Sequence, residues 1–324
     1  MSGAEDRPDA AEAPDEFGQI ARLFRPLTQG VAEAFDLLDD AAAIPARPGC
    51  DLVITKDAMV EGVHFLPWEG PDLIARKLLR VNLSDLAAKG AEPYGYFLAT
   101  AWSPDFDWAK RLAFAEGLRQ DGEAYGLVLL GGDTVSTPGP LTLSLTLLGW
   151  VPAGRMVRRG GAKLGDLVLV SGTIGDGGLG LLAARGELDD PEGHLARRYR
   201  LPEPRLELRQ RLLAHAHAAA DVSDGLIADA GHLAEASGLG LRLDLDRLPL
   251  SAGARKWLDA QPDRAAALGR LASFGDDYEI VCTAPAEGAA ALGLTVVGEI
   301  TSSGVEIRAD GRPIDPGAGG WRHT

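Results

Sequence analysis

Apolar residues recur along this chain at two periods, and each period predicts its own kind of element. After Pro71, Leu73, Ile74, Leu78 and Val81 fall at helical spacing. The pattern continues through Leu83, Leu86 and Ala87 and stops at Gly90, which predicts one long helix. A second helical stripe, Phe17, Ile20, Leu23, Phe24 and Leu27, lies between Asp15, a residue type that caps helix starts, and Gly30. Further helices are expected from Asp105 or Asp107 to about Tyr125, through Leu206, Leu208, Leu212 and Leu213, and through Ile227, Ala230 and Leu233. Strands are expected over Tyr94–Ala101, Leu141–Val151 and Asp166–Val170, at 239–245, after the turn Gly275–Glu279, and near 294–300 and 304–308. The stretch DLVITKDAMVEGVHF, residues 51–65, opens as a buried strand on Leu52, Val53 and Ile54 and continues in alternation to His64 and Phe65. Leu127 to Leu130 reads as a short buried strand that breaks into Gly131-Gly132-Asp133-Thr134.

Polar punctuation adds chemistry to this outline. Aspartates stand at the boundaries of five stretches: Asp39-Asp40, Asp57, Asp85, Asp133, and the pair Asp221 and Asp224. Carboxylates at element ends suit a site for several Mg²⁺ ions, because that ion prefers hard oxygen ligands and shares them with substrate phosphates. The bland readings are turn residues and, for Asp224, a helix N-cap. Gly172 to Gly180 form a glycine-rich strand-to-helix turn that could aim backbone N–H groups at an anion, although its spacing fits neither GxxxxGK[ST] nor GxGxxG. Arg155, Arg158, Arg159 and Lys163 are the densest basic cluster, either a solvated linker or a phosphate neutraliser. His215 and His217, two residues apart, do not share a helix face and read as surface histidines.

Composition narrows the classes. The 324 residues predict two domains, and a hydrophobic fraction of 46% is ample for their cores. Residues 1–14 read as a disordered acidic tail, with domains over 15–152 and 153–324. A net charge of −15 opposes a nucleic-acid partner or an anionic membrane surface. Recruited Mg²⁺ would reconcile this charge with an anionic substrate by inverting the local sign. The only two cysteines, Cys50 and Cys282, offer no zinc spacing and no disulfide framework, which fits a cytoplasmic location. No signal-peptide pattern opens the chain, and no apolar run reaches about 18 residues, so a membrane span is not expected.

Seven motifs, D-D-A-A, T-K-D-x-x-V-E-G-V-H-F, V-N-L-S-D-L-A-A-K-G-A-E-P, G-G-D-T, S-G-T-I-G-D, D-V-S-D-G-L and G-D-D-Y-E, occur in order. As a set over residues 15 to 324 they closely resemble the thiamine-monophosphate kinases, members of the ATP-using superfamily that includes aminoimidazole ribonucleotide synthetase. The resemblance implies a mixed α/β (α+β) fold of two domains. The N-terminal domains would pair in a homodimer that closes a β-barrel. It implies transfer of the γ-phosphoryl of ATP to thiamine monophosphate, with several Mg²⁺ ions. Carried over by motif, the metal ligands are Asp40, Thr55, Lys56 (as a position), Asp57, Asp85, Asp133, Asp221 and Asp224. Of these, Asp57, Asp85, Asp133 and Asp221 are the catalytic set. The ATP contacts are Gly132, Asp133, Arg159 and Ser223, and the substrate contacts are His64, Asp276 and Trp321. Three departures stand out: Leu37-Leu38 in place of a small glycine loop, Lys56 where threonine is usual, and Asp276 where glutamate is usual. An ammonium cannot ligate Mg²⁺, so Lys56 offers its backbone carbonyl or a fixed positive charge.

The residues themselves fit phosphoryl transfer, which needs positioning and charge neutralisation more than a covalent nucleophile. The acceptor phosphate is already anionic, so direct in-line transfer without a phospho-enzyme is expected. Two rival readings differ in class. One is another ATP-dependent synthetase of the superfamily. The members that rely on a reactive cysteine near a terminus fit poorly, since Cys50 and Cys282 lie elsewhere. The other is a non-catalytic nucleotide-binding relative, which Leu38 and Lys56 favour and the filled carboxylate positions oppose.

Overall fold

The computed structural model describes residues 14–315, so the expected acidic tail (but for its last residue) and Trp321 lie outside the described residues. The chain forms two compact units that interleave along the sequence. The first comprises the chain up to Ala46, Ala58–Arg76 and Gly95–Leu145, and the second comprises Arg47–Asp57, Lys77–Tyr94 and the chain from Thr146 onward. Among the described residues no helix is long and apolar enough to cross a membrane.

Strands β1 (Cys50–Val60), β2 (Glu92–Trp102), β3 (Val128–Ser136) and β4 (Thr142–Pro152) form a four-stranded sheet in the order β1-β4-β2-β3. The strand over the central stretch forms as expected, but β1 is an edge strand. Val53 is buried while Leu52 and Ile54 are 37% and 59% exposed, because successive side chains of a strand face opposite sides. The expected break at Gly131-Gly132 does not occur: β3 runs through it and pairs in parallel with β2 from Gly95↔Val128 to Trp102↔Ser136. A Cβ on Gly132 would sit 1.9 Å from the Leu98 carbonyl oxygen, so glycine here lets the neighbouring strand pass.

In the first unit, Asp15 caps helix α1 (Glu16–Gln19) by accepting from the Gly18 N–H. The single helix expected to Gly30 instead changes to a π-turn over Ile20–Phe24 and a 3-10 turn over Arg25–Thr28. Leu23, Phe24 and Leu27 are buried, whereas Phe17 is 80% exposed. The helix after Pro71 is α2 (Pro71–Lys89), and α3 (Trp108–Tyr125) starts at Asp107, whose side chain accepts from Lys110 N–H.

The second unit holds a seven-stranded sheet of β5 (Leu167–Val170), β6 (Ala218–Asp221), β7 (Gly240–Asp244), β8 (Ile280–Ala284), β9 (Thr295–Thr301), β10 (Val305–Ala309) and β11 (Arg312–Ile314). Their order is β11-β10-β7-β9-β5-β8-β6. Pairs are antiparallel except β10 with β7. Two apolar clusters cover it. One gathers Val168, Val170, Leu179, Leu226, Leu233, Leu243 and Leu268; the other gathers Leu169, Leu212, Ile280, Cys282 and Leu292 with Ala87 and Ala88 of α2. Helices α4 (Asp176–Ala184), α5 (His194–Arg200) and α6 (Arg209–His215) lie between β5 and β6, and α7 (Leu226–Ala236) lies between β6 and β7. The fully buried strand β6 ends on Asp221, which holds that carboxylate at a defined position.

Candidate functional site

Three elements of the second unit bring carboxylates together. The β1 strand presents Thr55, Lys56 and Asp57; the last turns of α2 present Ser84, Asp85 and Lys89; β6 ends on Asp221. Thr55 Oγ1 donates to Asp85 Oδ2 at 2.5 Å. Burial, followed by the charge of Asp85, pushes the Asp57 carboxyl up to about 6. Asp221 is buried and its carboxyl is held well above the usual range, first by burial and then by Asp85 and Asp229; the Ser84 hydroxyl and Lys89 oppose this. Lys89 donates Nζ to the Ala219 carbonyl at 2.8 Å, and burial lowers its pKa against the pull of Asp221. Asp85 thus lies within electrostatic reach of both Asp57 and Asp221, and the donor set of the three carboxylates is all hard oxygen. That chemistry fits a divalent cation of the Mg²⁺ type.

The D-V-S-D-G-L turn adjoins this cluster. The N-cap of α7 is Gly225, not Asp224. Asp229, one turn into the helix, accepts from both Ser223 N–H and Asp224 N–H at 3.0 Å. Its own carboxyl is raised to about 7 by burial and then by Asp224, and the charge of Arg159 lowers it. Gly275–Tyr278 is laid along the same turn: Asp276 N–H donates to Ser223 O at 2.9 Å and Tyr278 N–H to Val222 O at 2.8 Å. Asp276 and Tyr278 adopt left-handed backbone, φ 65° and 51°. Lys77 Nζ reaches Asp276 Oδ2 at 3.0 Å and the Tyr278 hydroxyl donates to Oδ1 at 3.2 Å. Lys77 also lies 3.8 Å from the centroid of the Tyr199 ring.

Other expected site residues are in the first unit. Asp133 is exposed and its Oδ1 accepts the N–H of Thr134 at 2.9 Å. Asp40 is exposed, and its N–H donates to Asp39 Oδ1 at 2.8 Å. Phe35, Asp36 and Leu37 just before it are all left-handed, φ 47°, 54° and 55°, a conformation that glycine adopts without strain and these residues do not. His64 accepts the Val60 N–H on Nδ1 at 3.0 Å, which leaves Nε2 as its donor nitrogen when the ring is neutral. Lys56 belongs with Thr146 to the second unit, and its Nζ lies 3.5 Å from Thr146 Oγ1.

Two motifs take structural roles instead. The glycine-rich turn does not direct its N–H groups at a ligand: Gly175 and Gly177 N–H donate to the buried Asp277 carboxylate at 2.7 and 2.8 Å. Glu279 is fully buried and accepts from Arg205 Nε at 2.7 Å, Arg198 Nη2 at 2.8 Å and Ser171 Oγ at 2.6 Å. The basic cluster disperses: Arg155 donates to Leu213 O at 2.9 Å and Lys163 Nζ lies 3.2 Å from His217 Nε2, while the charge of Arg159 acts on Lys89 and Asp229. His217 is not simply a surface residue, because its Nδ1 lies 2.9 Å from buried Asp166 Oδ2. Sequence reasoning missed Lys77, Tyr278 and Asp229. Only Asp229 left a usable signal, a carboxylate three residues before His232 on a helical stripe.

The family model described as AIR synthase related protein, N-terminal domain, matches residues 38–151, and that for the C-terminal domain matches residues 163–309. The chain is 58% identical to the thiamine-monophosphate kinase of Caulobacter vibrioides, covering 97% of this chain and 92% of the relative. The crystal structure of thiamine-monophosphate kinase from Stenotrophomonas maltophilia K279a is similar at TM-score 0.79 and 37% identity, over 93% of this chain and 98% of that one. A solved structure of AaThiL complexed with AMPPCP and TMP is similar at TM-score 0.76 and 31% identity, over 95% of this chain and 97% of that one. The matched domains, the ordered motifs and the identity across nearly the whole length lead to one conclusion: this chain belongs to the thiamine-monophosphate kinase family, with the mixed α/β two-domain fold of the AIR synthase related proteins.

Proposed function

We propose that this chain transfers the γ-phosphoryl of ATP to thiamine monophosphate, giving thiamine diphosphate and ADP. The observation that carries the reading is the placement of Asp85 within electrostatic reach of both Asp57 and Asp221, two carboxylates whose surroundings disfavour their charge. A kinase with a dianionic acceptor and a polyanionic donor needs positive charge at that place. Asp57, Asp85 and Asp221 would hold Mg²⁺, with Thr55, Asp224, Asp133, Asp40 and the Lys56 position as further ligand positions. When bound, Mg²⁺ neutralises phosphate oxygens on the attacking and leaving sides. Gly132, Asp133, Arg159 and Ser223 are the proposed ATP contacts, and His64, Asp276 and Trp321 the proposed substrate contacts.

The chemistry follows from these roles. A terminal oxygen of the acceptor phosphate attacks the γ-phosphorus, the bond from that phosphorus to the β–γ bridging oxygen breaks, and ADP leaves with the electron pair. No general base is needed, because the acceptor is already ionised. Lys77 and the Tyr278 hydroxyl fix Asp276 for its contact. Lys89 stands beside Asp221, whose charge favours the ammonium form against the effect of burial. Residues 15–152 would carry the metal and ATP contacts and 153–324 the remaining nucleotide and substrate contacts. A homodimer closing a β-barrel is the accompanying reading for the four-stranded sheet, supported by the apolar Leu52 and Ile54 left exposed on edge strand β1.

Purified protein with MgATP and thiamine monophosphate should release ADP and thiamine diphosphate in equal amounts, and free thiamine should give neither product. Absence of product while MgATP still binds would overturn the reading in favour of a nucleotide-binding protein with another role. Sedimentation at micromolar concentration tests the dimer, and a monomer there would contradict it.

A further inference from the structure

At the opposite end of β6 from Asp221, three side chains form a chain that the transfer reaction does not use. His217 stands just before β6, and Asp166 stands just before β5. Asp166 is 3% exposed, and its Oδ2 accepts from the Lys163 N–H at 2.8 Å, which ties the turn carrying Lys163 to it. His217 Nδ1 lies 3.1 and 2.9 Å from the two Asp166 oxygens. An ionised carboxylate only accepts, so Nδ1 is the donor there and Nε2 faces the other way. Nε2 lies 3.2 Å from Lys163 Nζ. Lys163 is exposed and the His217 side chain is 25% exposed, so the amine end of the chain is open to solvent.

Nucleophile, base and orienting carboxylate in this order make a side chain a covalent acceptor. A close contact between two basic nitrogens holds one proton, given either by the ammonium to a neutral ring or by the imidazolium to a neutral amine. In both arrangements the ring can hold the proton that Nζ gives up, and the Asp166 carboxylate offsets the ring's positive charge. Other lysines are set against oxygens instead. Lys110 Nζ donates to the Asp105 carbonyl at 2.7 Å, Lys89 Nζ to the Ala219 carbonyl at 2.8 Å, and Lys256 Nζ lies 3.8 Å from Asp189 Oδ2. Charge points to the kind of co-reactant. Lys163 belongs with Arg155, Arg158 and Arg159 to the densest basic segment of a chain of net charge −15. Arg158 is exposed, and its carbonyl accepts the N–H of Ala219, two residues after His217, at 3.1 Å. A small anionic electrophile is drawn here rather than to the acidic remainder of the surface.

We propose that Lys163 is a modification site that accepts acyl groups from acyl phosphates, with His217 as general base and Asp166 orienting it. The Nζ lone pair forms a bond to the acyl carbon, the bond from that carbon to the phosphate oxygen breaks, and inorganic phosphate leaves with the electron pair. The proton released from Nζ passes to His217 Nε2 and then to solvent, and the product is an uncharged amide. The test is mass spectrometry of each lysine over time while the full-length protein is incubated with acetyl phosphate at neutral pH. Lys163 should be acetylated about tenfold or more faster than the exposed Lys110 and Lys256. His217→Asn should bring Lys163 down to the rate of those two and leave theirs unchanged. Lys77 is 3% exposed and stays unlabelled while the fold is intact, so the same spectra report whether the variant is folded. The ratio within wild-type protein needs no variant and decides the matter even if His217→Asn unfolds. Equal rates at the three exposed lysines in wild-type protein, or an unchanged Lys163 rate in folded His217→Asn, would overturn the proposal. Neither ATP nor thiamine monophosphate enters this test, so it stands or falls apart from the transfer reaction.

Discussion

Two sets of buried or half-buried carboxylates in the second unit face opposite company. Glu279 meets two guanidinium groups and a hydroxyl, and Asp277 meets two backbone N–H groups at the start of α4. Asp57 and Asp221 each meet the charge of Asp85. The first set is answered by the protein's own donors, so its work is to join Ser171, α4, α5 and Arg205 to the sheet. The second set gathers like charges in a buried place, which costs stability and is retained where a bound cation offsets it. The same residue type thus does structural work where donors surround it and ligand work where acids surround it.

The largest effect should come from breaking the answered set. Glu279→Ala leaves Arg198 and Arg205 with buried positive charge and should cost about 3–5 kcal/mol of unfolding free energy, read by denaturant titration. A loss under about 1 kcal/mol would erase the contrast. On the other side, Asp57→Ala or Asp85→Ala should leave the unfolding midpoint of metal-free protein unchanged or raised, while turnover falls on the order of 10²-fold or more. Near-normal turnover in both variants would remove the site assignment.

A pH series sharpens the same difference. The Asp57 carboxyl rises from 3.8 to about 6 on folding, so between those values the folded protein binds a proton that the unfolded chain has released. The stability this gives is full below the unfolded value and is lost as pH rises through about 6. Metal-free protein should therefore gain more thermal stability from added Mg²⁺ at about pH 7.5 than at about pH 5, where protons compete for the same oxygens. Equal shifts at both values would contradict a carboxylate metal site. The smallest effects separate the two arginines. Arg159→Ala should raise the KM for ATP several-fold, whereas Arg155→Ala, which loses one exposed bond to a carbonyl, should alter stability by about 0.5 kcal/mol or less.

Much of this was legible in the chain. The long stripe after Pro71 gave α2, and the alternatives Asp105 and Asp107 included the residue that caps α3, because a periodic face and a capping carboxylate act locally. The recurring aspartates marked the cluster, although only Asp221 ends its element: Asp57 lies within β1 and Asp85 within α2. What the sequence hid was company. Nothing near Asp277 in sequence says that its donors are Gly175 and Gly177, about a hundred residues earlier. For the same reason G-D-D-Y-E did not reveal which of its acids faces Lys77, which caps α4 and which meets the arginines. The glycines misled in the other direction. Gly132 reads as a loop residue, yet it is a strand residue that the neighbouring Leu98 carbonyl requires to be small. Leu52 and Ile54 read as core because apolarity does not tell an edge strand from a central one.

The central claim is that Asp57, Asp85 and Asp221 form the metal site for phosphoryl transfer. Calorimetric titration of Mg²⁺ with an ATP analogue present, into wild-type protein and Asp85→Asn side by side, tests it most directly. The account predicts saturable Mg²⁺ binding in the wild type and a loss of affinity of about tenfold or more in Asp85→Asn at unchanged fold. Equal binding in the two proteins would contradict it.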